Sequence, residues 1–160
     1  MIFVSVGTQA PFDRLCRAVD DWAIREGRDD VFIQTGRTDW TPRGCEYVRE
    51  LSFGSFKERV REASLLVFHA GIGSIVAGIE HGRPMVIVPR LARFHETRNN
   101  HQVATAERFA KLPGIHAARD MDELARQLAR AGTFEAPEPM SGVAGQDLID
   151  ALRGFIERPD

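Results

Sequence analysis

One feature constrains the fold more than any other. Short, largely apolar runs alternate along the chain with stretches patterned for helix. Ile2 to Val6, Val31 to Thr35, Glu46 to Leu51, Leu65 to Phe68, Met85 to Val88 and Ile115 to Ala117 read as strands. A strand wetted on one face alternates apolar and polar residues. These runs are near-continuously apolar, as strands covered on both faces are. Between them, Pro11 to Glu26 places Phe12, Leu15, Val19, Trp22 and Ala23 on one helical face, with Pro11 suited to the first helical position. Ser55-Phe-Lys-Glu58 has capping-box spacing and opens a helix to about Ala63. Ser74 to about His81 is helical, closed by Gly82 and Pro84.

Asn100 to Lys111 is a further helix, with Val103, Ala106 and Ala110 on one face. Asp120-Met-Asp-Glu123 caps the next, turning Met121, Leu124 and Leu128 inward. Thr133 to Gly145 reads as a loop, and Gln146 to Glu157 as a terminal helix with Leu148, Leu152 and Phe155 on its stripe. This order predicts an α/β fold: a doubly wound, Rossmann-like parallel sheet in a single domain over residues 1–160. Such sheets bind ligands beyond the carboxyl ends of their strands, where strand order reverses.

Composition excludes several functions. A formal charge of −2 offers no electrostatic footprint for nucleic acid or anionic lipid. Cys16 and Cys45 fit no metal spacing, and a chain of this size needs no disulfide, so a reducing cytoplasm is expected. The opening MIFVSVGTQ lacks the basic start of a secretory signal, and no run approaches the roughly 18 apolar residues of a spanning helix. Membrane association is then expected through a partner or a surface patch.

Four strand-end loops hold the candidate chemistry. In Gly7-Thr8-Gln9 the glycine admits a ligand close to the backbone and Thr8 offers a hydroxyl, although a plain strand-to-helix turn reads the same way. In His69-Ala-Gly-Ile-Gly-Ser74, two glycines and a serine precede a helix whose N-terminal amides and positive dipole end suit a phosphate. The same glycines would also serve close helix–sheet packing. The stretch PRLARFHETRNNHQ over residues 89–102 is either a binding loop or a solvated one. Leu51-Ser52-Phe53 puts an aromatic at a strand end, to wall off a base or to join the core.

Other motifs fail. G-x-G-x-x-G from Gly71 would need glycine at Val76. No Gly-Lys-Ser/Thr occurs. His95-Glu96 lacks the second histidine of H-E-x-x-H, since Asn99 stands there. No G-x-S-x-G elbow is present. No metal site is expected.

Together, strand, FHAGIGS, helix, Gly-Arg-Pro, apolar strand, Val-Pro-Arg, polar loop and NNHQ resemble the C-terminal, donor-binding half of a GT-B glycosyltransferase of the family 28 type. The likeness runs from Met1 to about Leu128. It is similar to the small catalytic subunits of two-chain transferases, in particular the bacterial exopolysaccharide branch and the eukaryotic subunit that adds N-acetylglucosamine to lipid-linked oligosaccharide. The resemblance implies a UDP-sugar donor and no metal cofactor. It implies that Gly7, Thr8 and Gln9 face the donor phosphates, and that His69, Ala70, Gly71, Gly73 and Ser74 bind the diphosphate. Phe53 would lie near the uracil, and Asn100, His101 and Gln102 would reach the sugar. The family often has a glutamate holding the ribose where this chain has Ala77, and Glu80, one turn on, is the substitute. The polar loop reads HETRNNHQ, whereas exopolysaccharide subunits usually place Glu-His nearer the asparagine, which blurs the sugar assignment.

An inverting transfer needs a base for the acceptor hydroxyl and stabilisation of the leaving diphosphate. In fused relatives the base comes from the acceptor half, and no second such half fits in 160 residues. The expected partners are therefore a membrane-anchored acceptor-binding subunit and a lipid-linked saccharide, with the chain peripheral at the inner face of the membrane. Its terminal helix, about 146–157, would either dock that subunit or pack on its own domain. The alternative is a nucleotide-binding regulatory module without transfer chemistry.

Overall fold

The structure, a computed structural model, describes residues 1–137. The terminal helix expected over 146–157 and most of the loop before it lie outside the described residues. Six strands form one sheet: β1 (Ile2–Ser5), β2 (Val31–Gln34), β3 (Glu46–Val48), β4 (Leu65–His69), β5 (Met85–Val88) and β6 (Ile115–Ala117). All pairings are parallel, in the order β3-β2-β1-β4-β5-β6. The doubly wound expectation therefore holds. Val4 pairs with Ile33 on one side and Val67 on the other, so β1 and β4 are central and the winding reverses between them.

Two cores cover the sheet, because successive side chains on a strand point to opposite faces. Ile2, Val4, Val67 and Val88 face α1 (Asp13–Glu26) and α5 (Met121–Leu128). Phe3, Phe68, Met85 and Ile87 face α2 (Phe53–Glu62), α3 (Ile72–Glu80) and α4 (His101–Phe109). On the second face Phe3 meets Phe56 and Phe68 edge-on, at centroid distances of 5.5 and 5.6 Å.

Some boundaries move for local reasons. Pro11 is not the first helical residue. Phe12 is the N-cap of α1 with φ −143, and its ring is fully buried. Ser55 does not cap α2. Ser52 does, its Oγ accepting from Ser55 N–H, because β3 stops at Val48 and frees the chain to turn early. Phe53 consequently opens a helix instead of ending a strand. On α4 the buried residues are Gln102, Thr105, Ala106 and Phe109, so the expected Val103–Ala106–Ala110 stripe is rotated. The capping box Asp120–Glu123 is as expected: Asp120 Oδ1 accepts from Glu123 N–H at 2.7 Å, and Glu123 Oε2 accepts from Arg119 N–H at 2.9 Å.

Candidate functional site

The switch point between β1 and β4 opens into a cavity of about 790 Å³ at the carboxyl edge of the sheet. Its lining brings together Gly7, Thr8 and Gln9 from the first loop; His69, Gly71, Gly73 and Ser74 from the second; and His101 and Gln102 from the head of α4. Phe53 and Glu80 stand in the same wall. Of the residues the sequence nominated, Ala70 and Asn100 are absent from it. Ala70 is buried in the second core, and its N–H donates to Val88 O at 3.0 Å. Asn100 precedes α4, and its Oδ1 accepts from Ala92 N–H.

The amides at the head of α3 can be accounted for one by one. Gly71 N–H donates to His69 O, and the N–H groups of Ser74 and Ile75 donate to Gly71 O. Among the described residues, the N–H groups of Ile72 and Gly73 donate to no protein acceptor. Gly73 and Ser74 line the cavity, so the free Gly73 amide and the Ser74 hydroxyl stand in its wall at the positive end of the helix dipole. The helix then presents Gly73, Ala77 and Glu80 along one side of the cavity.

The two glycines of this loop have different jobs. A Cβ on Gly71 would come within 2.2 Å of His69 Nε2, so its space is taken by the imidazole. A Cβ on Gly73 would meet nothing within 4 Å, so its space is open on the side of the cavity that it lines. Gly7 has φ +72, and a Cβ there would lie 2.8 Å from His69 Cε1. His69 is thus held between two glycines, its Nδ1 3.5 Å from Ser5 O. Burial, aided by the charge of Arg90, lowers its pKa to about 4. The imidazole is neutral at pH 7 and brings shape and hydrogen-bonding capacity, but no charge, to the cavity wall.

Lys57, Phe56 and Val76 also line the cavity, although the sequence reading assigned them no role there, and so does Arg90, which that reading placed in the candidate 89–102 loop without a role of its own. Arg90 follows the apolar run of β5, at the start of the nominated 89–102 loop. Lys57 lies one turn after Phe53, with its Nζ 4.7 Å from the ring centroid. Placing Phe53 on a strand hid that pairing. Phe53 is 76% exposed, which excludes a core role. The loop leading to α4 is pinned from outside: Arg14 donates to both carboxylate oxygens of Glu96, at 2.8 and 2.9 Å, and Glu96 Oε2 accepts from Leu91 N–H. Among the described residues, no group of three His, Cys, Asp or Glu side chains could hold a metal ion, and no helix is long and apolar enough to cross a membrane.

This chain is similar to known glycosyltransferases. The UDP-N-acetylglucosamine transferase subunit ALG13 of Eremothecium gossypii is 35% identical over 97 residues, 60% of this chain and 45% of that relative. The chain thus spans less than half of that relative's length. The solution structure of ALG13 superposes with a TM-score of 0.65 at 17% identity, covering 95% of this chain and 94% of that one. The crystal structure of the glycosyltransferase of kitacinnamycin gives 0.59 at 18% identity, covering 98% of this chain and 39% of that one. The two structures bear on the fold alone, that of the C-terminal half of a GT-B glycosyltransferase. The sequence profile described as the glycosyltransferase family 28 C-terminal domain matches residues 1–142, and the chain belongs to that family.

Proposed function

We propose that this chain is the donor-binding subunit of an inverting, UDP-sugar-dependent glycosyltransferase that acts on a lipid-linked saccharide, in exopolysaccharide synthesis, beside a membrane-anchored acceptor-binding subunit. The observation that carries the reading is the cavity at the switch point. It brings an uncommitted helix-start amide (Gly73), a serine hydroxyl and a buried arginine into one lining, a set that suits a diphosphate. Phe53 and Lys57 at the rim offer a face for the uracil, and Glu80 an acceptor for the ribose hydroxyls. His101 and Gln102 lie where the sugar would project.

In this reading the departing diphosphate is stabilised by α3 and Arg90 without a metal. The base for the acceptor hydroxyl comes from the partner, because Glu80 is the one carboxylate in the described lining and belongs to the ribose end. That a relative of the chain is named as a transferase subunit supports the two-chain arrangement. The chain would then sit at the cytoplasmic face of the membrane through its partner.

The test has two parts. Calorimetry of the isolated chain should show UDP binding in preference to ATP or NADP, and Ser74→Ala should weaken it at least about tenfold, the loss of one hydrogen bond to a charged group. Sugar transfer should appear only when the chain is copurified with the membrane protein encoded beside it. Full transfer by the chain alone would end the two-subunit proposal, and binding without transfer in the copurified pair would favour a regulatory module.

A further inference from the structure

Arg90 is 5% exposed, and its charge has no carboxylate partner. It makes no ion pair with a described residue; the neighbouring acid, Glu96, is bound to Arg14 instead. The Nη2 group of Arg90 donates to Val6 O at 2.8 Å and to Ala10 O at 2.5 Å. The guanidinium carbon lies 5.1 Å from the centroid of the Phe12 ring. The buried Nε is left without a partner among the described residues. The backbone N–H of the same residue donates to Gln102 Oε1 at 3.1 Å. Arg90 therefore joins three elements around the cavity: the loop after β1, the end of β5 and the head of α4.

The two carbonyls it holds bracket Gly7, Thr8 and Gln9, so both ends of that loop are fixed from one point. A cation held out of water without an opposite charge is unfavourable, and carbonyl oxygens with one aromatic ring offset only part of that cost. Burial draws the pKa of Arg90 below the ordinary arginine range, with Glu96 opposing. An anion entering the cavity would supply the missing charge in a setting screened far less than the surface.

We infer that Arg90 is a positioning residue of the donor site, an inference that rests on the UDP-sugar reading above: it ties the Val6–Ala10 loop to Gln102 across the switch point, and its buried charge makes the seat select a nucleoside diphosphate over the bare nucleoside. The selectivity comes from the charge, and the loop geometry from the two-carbonyl grip. Lysine at this position keeps the first and weakens the second. Glutamine keeps a donor for the carbonyls and loses the charge.

The experiment titrates wild type, R90K and R90Q with UDP and with uridine, and follows the His69 ring by NMR as pH is varied. R90Q should bind UDP about tenfold more weakly and uridine within about twofold of wild type, since only the phosphates feel the charge. R90K should keep UDP binding within about threefold. The His69 ring should titrate at higher pH in R90Q than in wild type or R90K, because the neighbouring positive charge is gone. If R90Q does not fold, R90M is read by the same criteria. UDP and uridine affinities falling in parallel would mean a packing defect and overturn the inference, as would R90Q binding UDP like wild type. Wild type that binds no UDP is a different result: it removes the donor-site reading, and the Arg90 inference goes with it.

Discussion

Gly73 separates the demands of folding from those of binding at a single residue. It lies in the first turn of α3, where glycine costs conformational entropy relative to alanine. A Cβ there would meet open space in the wall of the cavity, beside the free Gly73 amide. Gly73→Ala should therefore raise stability by about 0.5 kcal/mol while weakening UDP at least about tenfold, opposite signs from one methyl group. Thermal melting with and without UDP reads both. Reduced stability would show that the glycine serves packing. His69 makes a second prediction through pH. Its folded pKa of about 4 lies below the ordinary 6.5, so between those values the unfolded chain binds a proton that the native chain refuses. Stability should fall as pH drops through that window, by roughly 3 kcal/mol in total, and level off below it. His116 is shifted the same way, by its own burial and then by Arg130, so the His69 part is the difference between wild type and H69Q in urea unfolding at pH 7 and pH 4.5. Equal pH dependence in the two proteins would show that His69 is not held neutral.

At the scale of elements, the connection from β2 to β3 is unusual. Parallel strands are normally joined through a helix, yet residues 35–45 contain none. The carboxylate of Asp20 on α1 organises the stretch in place of a helix. Its Oδ2 accepts from Arg43 N–H, and its Oδ1 from the N–H groups of Gly44 and Cys45, each at 2.9 Å. Burial alone would raise the Asp20 pKa, but the three amide bonds outweigh it and hold it below 3.8. Asp20→Ala leaves these amides without their acceptor and should cost about 3 kcal/mol, and Asp20→Asn less. Urea unfolding measures both, and a loss under about 1 kcal/mol would mean the loop is held by other contacts. Nothing in the sequence announced this arrangement, because Asp20 sits mid-helix beside Asp21 and the N–H groups that donate to it lie more than twenty residues on. The strands were legible for the opposite reason: short apolar runs such as Ile2–Ser5, Leu65–His69 and Met85–Val88 leave few ways to bury both faces of a sheet, and only the edge strand β3 is charged and largely exposed. The four loops were legible because they follow those runs directly. What escaped was set by distant partners. Ser52 replaces Ser55 as a cap where β3 ends early, and Gln102 turns inward on α4 where its Oε1 accepts from Arg90 N–H.

For the whole molecule, the position of the cavity decides how binding and stability are coupled. Its lining comes from β1, α2, β4, α3, the end of β5 and α4, on both sides of the point where the winding reverses. No single βα unit could form the seat, so a ligand that fills it binds only the fully assembled sheet and is linked to global unfolding. UDP at a hundred times its dissociation constant should then add about 2.7 kcal/mol. For a chain of this size that raises the melting temperature by roughly 5–10 °C in a single cooperative transition. Uridine at the same absolute concentration should do less, because in the proposed donor site it lacks the phosphates that would meet the head of α3 and Arg90. The shift should be the same in EDTA as in magnesium, since the charges proposed to meet the diphosphate are the head of α3 and Arg90. A shift that requires magnesium would remove the metal-free part of the proposal and leave the fold-wide coupling standing. A shift confined to one part of a split transition would do the reverse, showing that the two halves of the sheet unfold independently and that the seat survives on one of them.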